Sequence, residues 1–225
     1  MDYVLIEWRQ NMNRQLRKIT AVVSAAAVAL SGVSFGSLCL TAYAESDGIQ
    51  TALDVSKGSI TITDSSVSGY AGDGTSVTTI DPDGYIITGT TTEYTITVSG
   101  TQNITLDGVD IDVSQKSDTG AFVIEYNNTG DVTITLADDS VNKLQSGQSC
   151  AGLQKNEWDG VVGKLTIKGG EKGTGSLTAI GGDCSAGIGG GGSDPKGTVS
   201  NYGDADYIRI SGGIVTAPAA IMAQA

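Results

Sequence analysis

From residue 59 onward, short runs of β-branched and aliphatic residues alternate with polar ones. They are "SITIT", "YIITGT", "YTITVSG", "NITLDGVDIDV", "DVTITL", "KLTIK" and "YIRIS". Period-two alternation with Thr, Ile and Val predicts half-buried strands. Gly, Asn and Asp interrupt the runs every few residues, as turns require. No stretch of ten residues combines Leu, Ala, Glu and Lys at helical spacing.

The runs recur in a fixed order. "ITL" at 104–106 returns at 134–136, then as "LTI" at 165–167 and "IRI" at 208–210. Each is followed by a second element, "VDIDV", "SVNKL", "SLTA" or "IVTA". A third element comes next: "GAFV" at 120–123, "CAGL" at 150–153, "SAGI" at 185–188 and "PAAI" at 218–221. Three strands repeating every 30–35 residues predict an all-β solenoid, a right-handed single-stranded parallel β-helix with three strands per coil. Its core would be a ladder of Ile104, Leu106, Ile134, Leu136, Leu165, Ile167, Ile208 and Ile210. Between the third and fourth repeats the offsets fall from 43 (Leu165 to Ile208) to 38 (Leu177 to Val215) to 33 (Ile188 to Ile221). Strands keep their character while connections change length, as insertions at coil corners would. "GAFVI" aligns with "AGLQK" at offset 30 or 31, and a slip of one residue exchanges the faces. The bulky pair Phe122 and Ile124 is expected to point inward.

The amino end has a different character. "RQLRK" (14–18) precedes the apolar run "ITAVVSAAAVALSGVSFGSLCL", and "AYA" (42–44) supplies small residues before Glu45. This reads as an export signal over 1–44, cleaved after Ala44. Retention of the run as a membrane anchor is the alternative, since it is long enough to span a bilayer. "MDYVLIEWRQN" puts two acids and a Trp before the basic stretch, so Met12 is the expected true start. The remaining domain, 45–225, would be secreted or held at the cell surface. The chain stops at "APAAIMAQA" without a polar cap, which predicts truncation at the C-terminus, end-to-end association or a terminal cap.

Composition narrows the function. Residues 45–225 carry 9 basic and 23 acidic residues, a net charge of −14, which argues against nucleic acid and against an anionic membrane as partners. The chain has no His, which excludes Ser-His and Cys-His nucleophiles and His-based metal sites. Hydrolysis of a polysaccharide would use paired carboxylates. Asp138 and Asp139 are the only adjacent acids here, and neighbours on a strand point to opposite faces. A lyase would need a base and a cation, and Arg209 stands in a strand pattern with no acidic cluster beside it. The expectation is therefore a protein that is not an enzyme. "SAGIGGGG" (185–192) contains G-x-G-x-x-G at Gly187, Gly189 and Gly192. A dinucleotide loop needs a helix to follow, and "SDPKGTVSNYGD" has no helical pattern. The glycines are read as serving a tight corner. Cys150 and Cys184 fall in adjacent repeats, either as a disulfide or as two small buried side chains.

"YIITGTTTEYTITVSGTQNITLDGVDIDVS…GAFVIEYNNTGDVTITLADDSVNKLQSG" and "GSLTAIGGDCSAGIGGGG…IRISGGIVTA" resemble the carbohydrate-binding parallel β-helix family of bacterial surface proteins, over roughly residues 80–217. That resemblance implies a pectate-lyase-like fold without catalysis, a glycan ligand and bound calcium, with no ligating residues assigned. From the repeat alignment itself, the connections after each third strand, 125–131, 154–163 and 193–206, should stack at one corner. They bring Tyr126, Trp158 and Tyr202 together with Asn128 and Asp159. Exposed aromatic faces pack on sugar rings, and amides and carboxylates bond hydroxyls. Trp158 could instead pin its loop. The expected function is a non-catalytic carbohydrate-binding protein with a polysaccharide or cell-surface glycan as partner. The alternatives are a stalk or adhesin that binds proteins, and a polysaccharide lyase or hydrolase.

Overall fold

The computed structural model describes residues 48–156, 163–192 and 205–218. All of them lie in the second of two units into which the chain divides, Ala44–Ala225. The fold is all-β, with a single 3-10 turn at Val55–Lys57 and no α-helix among the described residues. In chain order the strands are β1 (Thr51–Asp54), β2 (Ile60–Ile62), β3 (Val67–Tyr70), β4 (Ser76–Val77), β5 (Tyr85–Thr91) and β6 (Ile96–Val98). Next come β7 (Gln102–Asp112), β8 (Phe122–Ile124), β9 (Val132–Leu136), β10 (Val141–Gln145) and β11 (Leu153–Lys155). The last are β12 (Leu165–Gly169), β13 (Ser176–Ile180), β14 (Ile188–Gly189), β15 (Ile208–Ile210) and β16 (Ile214–Thr216).

The pairings form three parallel ladders. β1, β5, β7, β9, β12 and β15 make the first, with Ile104 beside Ile134 and Ile134 beside Ile167. β7, β10, β13 and β16 make the second, with Ile111 beside Leu144 and Leu144 beside Ala179. β2, β6, β8, β11 and β14 make the third. Because β5 and β7 run through both of the first two ladders, these form one curled nine-stranded parallel sheet. The third belongs to a seven-stranded sheet that is mixed, since β3 and β4 add antiparallel at its first edge. No repeat-based reading anticipated that antiparallel start.

Alternation decides the faces as the pattern predicts. Ile104, Leu106, Ile134, Leu136, Leu165 and Ile167 are all buried, while Thr105, Thr133, Thr135 and Thr166 between them are half-buried. Phe122 and Ile124 point into the core, and Phe122 pairs with Leu153, the offset of 31. Two expectations need correction. Leu165 stands beside Val132 rather than Ile134, so the third "ITL" segment is shifted by two residues, which preserves its inward face. Ile210 is 52% exposed, because β15 is the edge of the first ladder and carries no described strand beyond it.

The bend between the first two ladders shows what holds such a chain together. The β5–β7 register shifts between Ile87 and Gly89, where β7 carries the extra residue at Asp107–Gly108. Gly108 sits at φ +74°, which a Cβ would resist. The displaced N–H of Val109 is met by a side chain: it donates to Asn142 Oδ1 at 2.9 Å. Asn142 Nδ2 donates to Ser140 Oγ and to the Ser176 carbonyl, both at 2.9 Å. Asn142 is 1% exposed, in an inward position otherwise occupied by Leu177 in the next strand. An unmet backbone N–H in that interior would cost about 1–3 kcal/mol. Asn142→Leu, which fills the space without the bonds, is expected to lower the unfolding free energy by about 2 kcal/mol in urea titration. Thr178→Ala, on the outer face of the adjoining strand, is expected to shift it by less than about 0.5 kcal/mol.

Candidate functional site

The bend that leads from the third ladder back to the first is where the sequence places a ligand. After β8, Glu125, Tyr126 and Asn127 are exposed, and Tyr126 reaches 53%. The backbone of this connection rests on the equivalent bend of the preceding turn. Gly130 packs against the backbone of Gly100 and Thr101, where a Cβ would collide. Gly163 does the same one turn later, with its missing Cβ 2.6 Å from the carbonyl oxygens of Asn128 and Gly130. The bends at 99–101, 125–131 and 163 therefore stack; of the three connections that the repeat alignment names, 125–131 and the end of 154–163 meet here, and most of 193–206 lies outside the described residues.

Polar side chains rivet the stack. Asn128 is buried. Its Oδ1 accepts from Gly100 N–H at 2.6 Å, and its Nδ2 donates to the Gly130 carbonyl at 2.8 Å. Asp64 Oδ1 accepts from Thr101 N–H at 2.7 Å, and Asp131 Oδ1 accepts from Lys164 N–H at 3.0 Å. Asn156 Oδ1 takes the N–H of Gly191 at 2.9 Å. Of the five residues expected to form the site, Tyr126 is placed on the surface and Asn128 inside the bend, with its amide turned to the backbone. Trp158, Asp159 and Tyr202 lie outside the described residues, as does Asn201.

The remaining chemistry is committed elsewhere. Asp138 accepts Lys172 N–H on both carboxylate oxygens, at 3.1 and 3.0 Å. Asp139 forms an ion pair with Lys172 Nζ at 3.2 Å. That contact, with a hydrogen bond to Thr174, holds the Asp139 carboxyl below its usual range. The adjacent acids thus tie one turn to the next. Among the described residues no three Cys, Asp or Glu side chains gather closely enough to hold a metal ion. Three of the described carboxylates, Asp64, Asp131 and Asp138, are turned to backbone N–H groups.

Neither Cys150 nor Cys184 is in a disulfide. Hydrogen bonds from Ser149 N–H to the Asp183 carbonyl and from Gly152 N–H to the Ala186 carbonyl set the local register. They put Cys184 beside Ser149 and Cys150 beside Ser185, so the two cysteines are not equivalent. Cys150 is buried and Cys184 exposed. Asp118, Ser149 and Cys184 repeat the left-handed conformation at φ +54°, +64° and +64° in three successive turns. The glycines of "SAGIGGGG" serve close approach. A Cβ on Gly187 would lie 2.5 Å from the Ala179 carbonyl oxygen, and one on Gly192 would lie 2.5 Å from that of Cys184.

Sequence reading missed the buried corner bonds of Asn142 and Ser146. Ser146 Oγ accepts from Ala121 N–H at 2.8 Å and donates to the Ala151 carbonyl at 2.7 Å. The signal was there, as a polar residue at an inward position of the alternation. Lys155 was missed too. It is 5% exposed and follows Ile62, Val98 and Ile124 in one inward column. Compared with protein-family models, curated proteins and solved structures, the chain matches none.

Two outcomes follow from this geometry. Asn128→Ala should cost about 1–2 kcal/mol of stability in chemical denaturation, since it strips the Gly100 N–H of its acceptor. Burial and the charge of Asp118 push the Cys150 thiol up, so less of it is thiolate at neutral pH. Alkylation followed by mass spectrometry of peptides should find Cys184 modified well before Cys150, and equal rates would contradict the assigned burial.

Proposed function

We propose that residues 45–225 form an exported, non-catalytic carbohydrate-binding module, built as a right-handed parallel β-helix of about three strands per coil. Three parallel ladders that recur in the order first, second, third support the coil reading. Crossovers between parallel strands are right-handed in about 98% of cases, which supports the hand. The observation that carries the function is the stacking of the connections. The start of the second one, at Asn156, and its end, at Gly163 and Lys164, are pinned to their neighbours by hydrogen bonds and glycine contacts. The repeat alignment assigns Trp158 and Asp159, which lie outside the described residues, to the same corner as the exposed Tyr126. An aromatic row beside amides and carboxylates suits sugar rings and their hydroxyls.

Retention of the purified protein on a panel of insoluble polysaccharides, with calcium or with chelator, tests this. Trp158→Ala should weaken retention by about 1–2 kcal/mol, a little above the increment for an aromatic contact beyond its area. Tyr126→Ala should weaken it less, and both variants should keep the parental melting temperature. A drop in melting temperature with unchanged retention would instead make Trp158 a loop pin and favour a stalk that presents other proteins. Release of soluble product from the bound glycan would overturn the non-catalytic reading.

A further inference from the structure

The pattern Asn-x-Ser/Thr occurs twice in the chain, as Asn103-Ile104-Thr105 and as Asn127-Asn128-Thr129. It is the acceptor signal for N-linked glycans on exported proteins, because a transferase must hold the asparagine amide and the hydroxyl two residues on at the same time. Residue order does not separate the two copies, and the fold does. Asn103 stands in β7, which hydrogen-bonds to β5 on one side and β9 on the other. Ile104 is buried, and the Thr105 hydroxyl donates to Gln50 Oε1 at 2.6 Å. Presenting that copy to an enzyme means opening a core strand.

The second copy is presented already. Asn128 N–H donates to the Glu125 carbonyl at 3.0 Å, which closes a turn with Tyr126 and Asn127 at its tip. Asn127 and Thr129 are exposed, and neither side chain hydrogen-bonds to a described residue. Asn128 between them is buried, with Oδ1 accepting from Gly100 N–H and Nδ2 donating to the Gly130 carbonyl. The middle residue thus anchors the bend, while the amide and the hydroxyl that a transferase reads both stand outside it. Glu125, two residues ahead of Asn127, is exposed as well, and Thr101 holds that place before Asn103. Transferases that select an acid at that place discriminate between the copies in the same sense.

We propose that Asn127 is the acceptor of an N-linked glycan, transferred from a lipid-diphosphate-linked oligosaccharide outside the cytoplasm. In the transfer, Asn127 Nδ2 forms a bond to the anomeric carbon of the donor sugar as the bond from that carbon to the diphosphate breaks. The lipid diphosphate leaves with the electron pair, and one Nδ2 proton passes to a base of the transferase. The chain is the substrate of this step, and its own part is presentation: a tip that projects from the stack, held by a residue whose side chain faces the other way. The inference rests on the export part of the proposed function and not on its ligand. Asn103, in the same exported chain, stays unmodified because its backbone belongs to the ladder.

The test incubates the folded full-length chain with a purified oligosaccharyltransferase that reads Asn-x-Ser/Thr alone and with its lipid-linked oligosaccharide, and quantifies glycopeptides by mass spectrometry. Free peptides covering 99–108 and 123–132 are the comparison arm. Both peptides should accept glycan, whereas in the folded chain Asn127 should be occupied at least roughly tenfold more than Asn103, whose release needs opening of a core strand. Asn127→Gln and Thr129→Ala should abolish modification at this bend and keep the parental melting temperature. Thr129→Ser should retain the modification, and Asn103→Gln should leave it unchanged. An Asn127 that stays bare in the folded chain while its peptide accepts, or that Asn103 matches in occupancy, would overturn the inference. The second readout is the chain isolated from the cells that produce it, where cleavage before Glu45 and a glycan on Asn127 are expected. A cleaved chain bare at Asn127 would overturn the inference and leave export standing. A chain found inside the cell with residues 1–44 attached and Asn127 bare would overturn both.

Discussion

A chain that stacks parallel strands must turn between them, and each turn carries backbone N–H and C=O groups toward an apolar interior. Everything else in this structure depends on meeting those groups. In the turn spanning residues 121–153 each bend has its own polar side chain. Asn128 serves the bend into the first ladder, Asn142 the bend into the second, and Ser146 the bend into the third. The aliphatic columns supply the driving force through burial, but they pack only if the bends keep one register from turn to turn. No buried side-chain nitrogen or oxygen among the described residues lacks a partner. Close stacking adds a second demand, and Gly130 and Gly163 meet it by leaving room for the backbone below.

These demands distribute the chemistry. With the interior given to Ile, Leu and Val and the bends to Asn, Ser and Asp, several carboxylates serve as acceptors for neighbouring N–H groups. Asp64, Asp131 and Asp138 all do so. Acidity in this chain is therefore partly structural, and adjacent acids such as Asp138 and Asp139 are occupied in joining turns. What remains available for a partner is the outer face of the ladders and the tips of the longer connections. Tyr126 stands on one such tip, and Lys164, Lys168 and Arg209 stand on the face next to it.

The strand text was legible because its signal is local. Alternation fixes which side of a strand is apolar, so the inward placement of Ile104, Ile134 and Ile167 follows from residue order alone. Phe122 and Ile124 could be chosen over the other alignment because bulky side chains leave the larger burial gain. The shift of Leu165 to Val132 was not legible, since a slip of two residues keeps every side chain on its face and costs the pattern nothing. The antiparallel pairing of β3 on β2 was hidden for a similar reason, because alternation looks the same in both directions.

The sequence by itself determined the all-β class, the apolar face of each strand and the recurrence of three elements. These are set by periodicity and turn residues, which act over a few positions. Only the tertiary structure decided which residues meet. It turned Asn128 from a surface amide into a corner bond, and it separated Cys150 from Cys184 by burial. It also brought Arg209 between Lys164 and Lys168 across 41 positions of chain from the nearer lysine. Such juxtapositions depend on register between distant strands, and register is chosen by how the bends satisfy their backbone groups, which no single strand records.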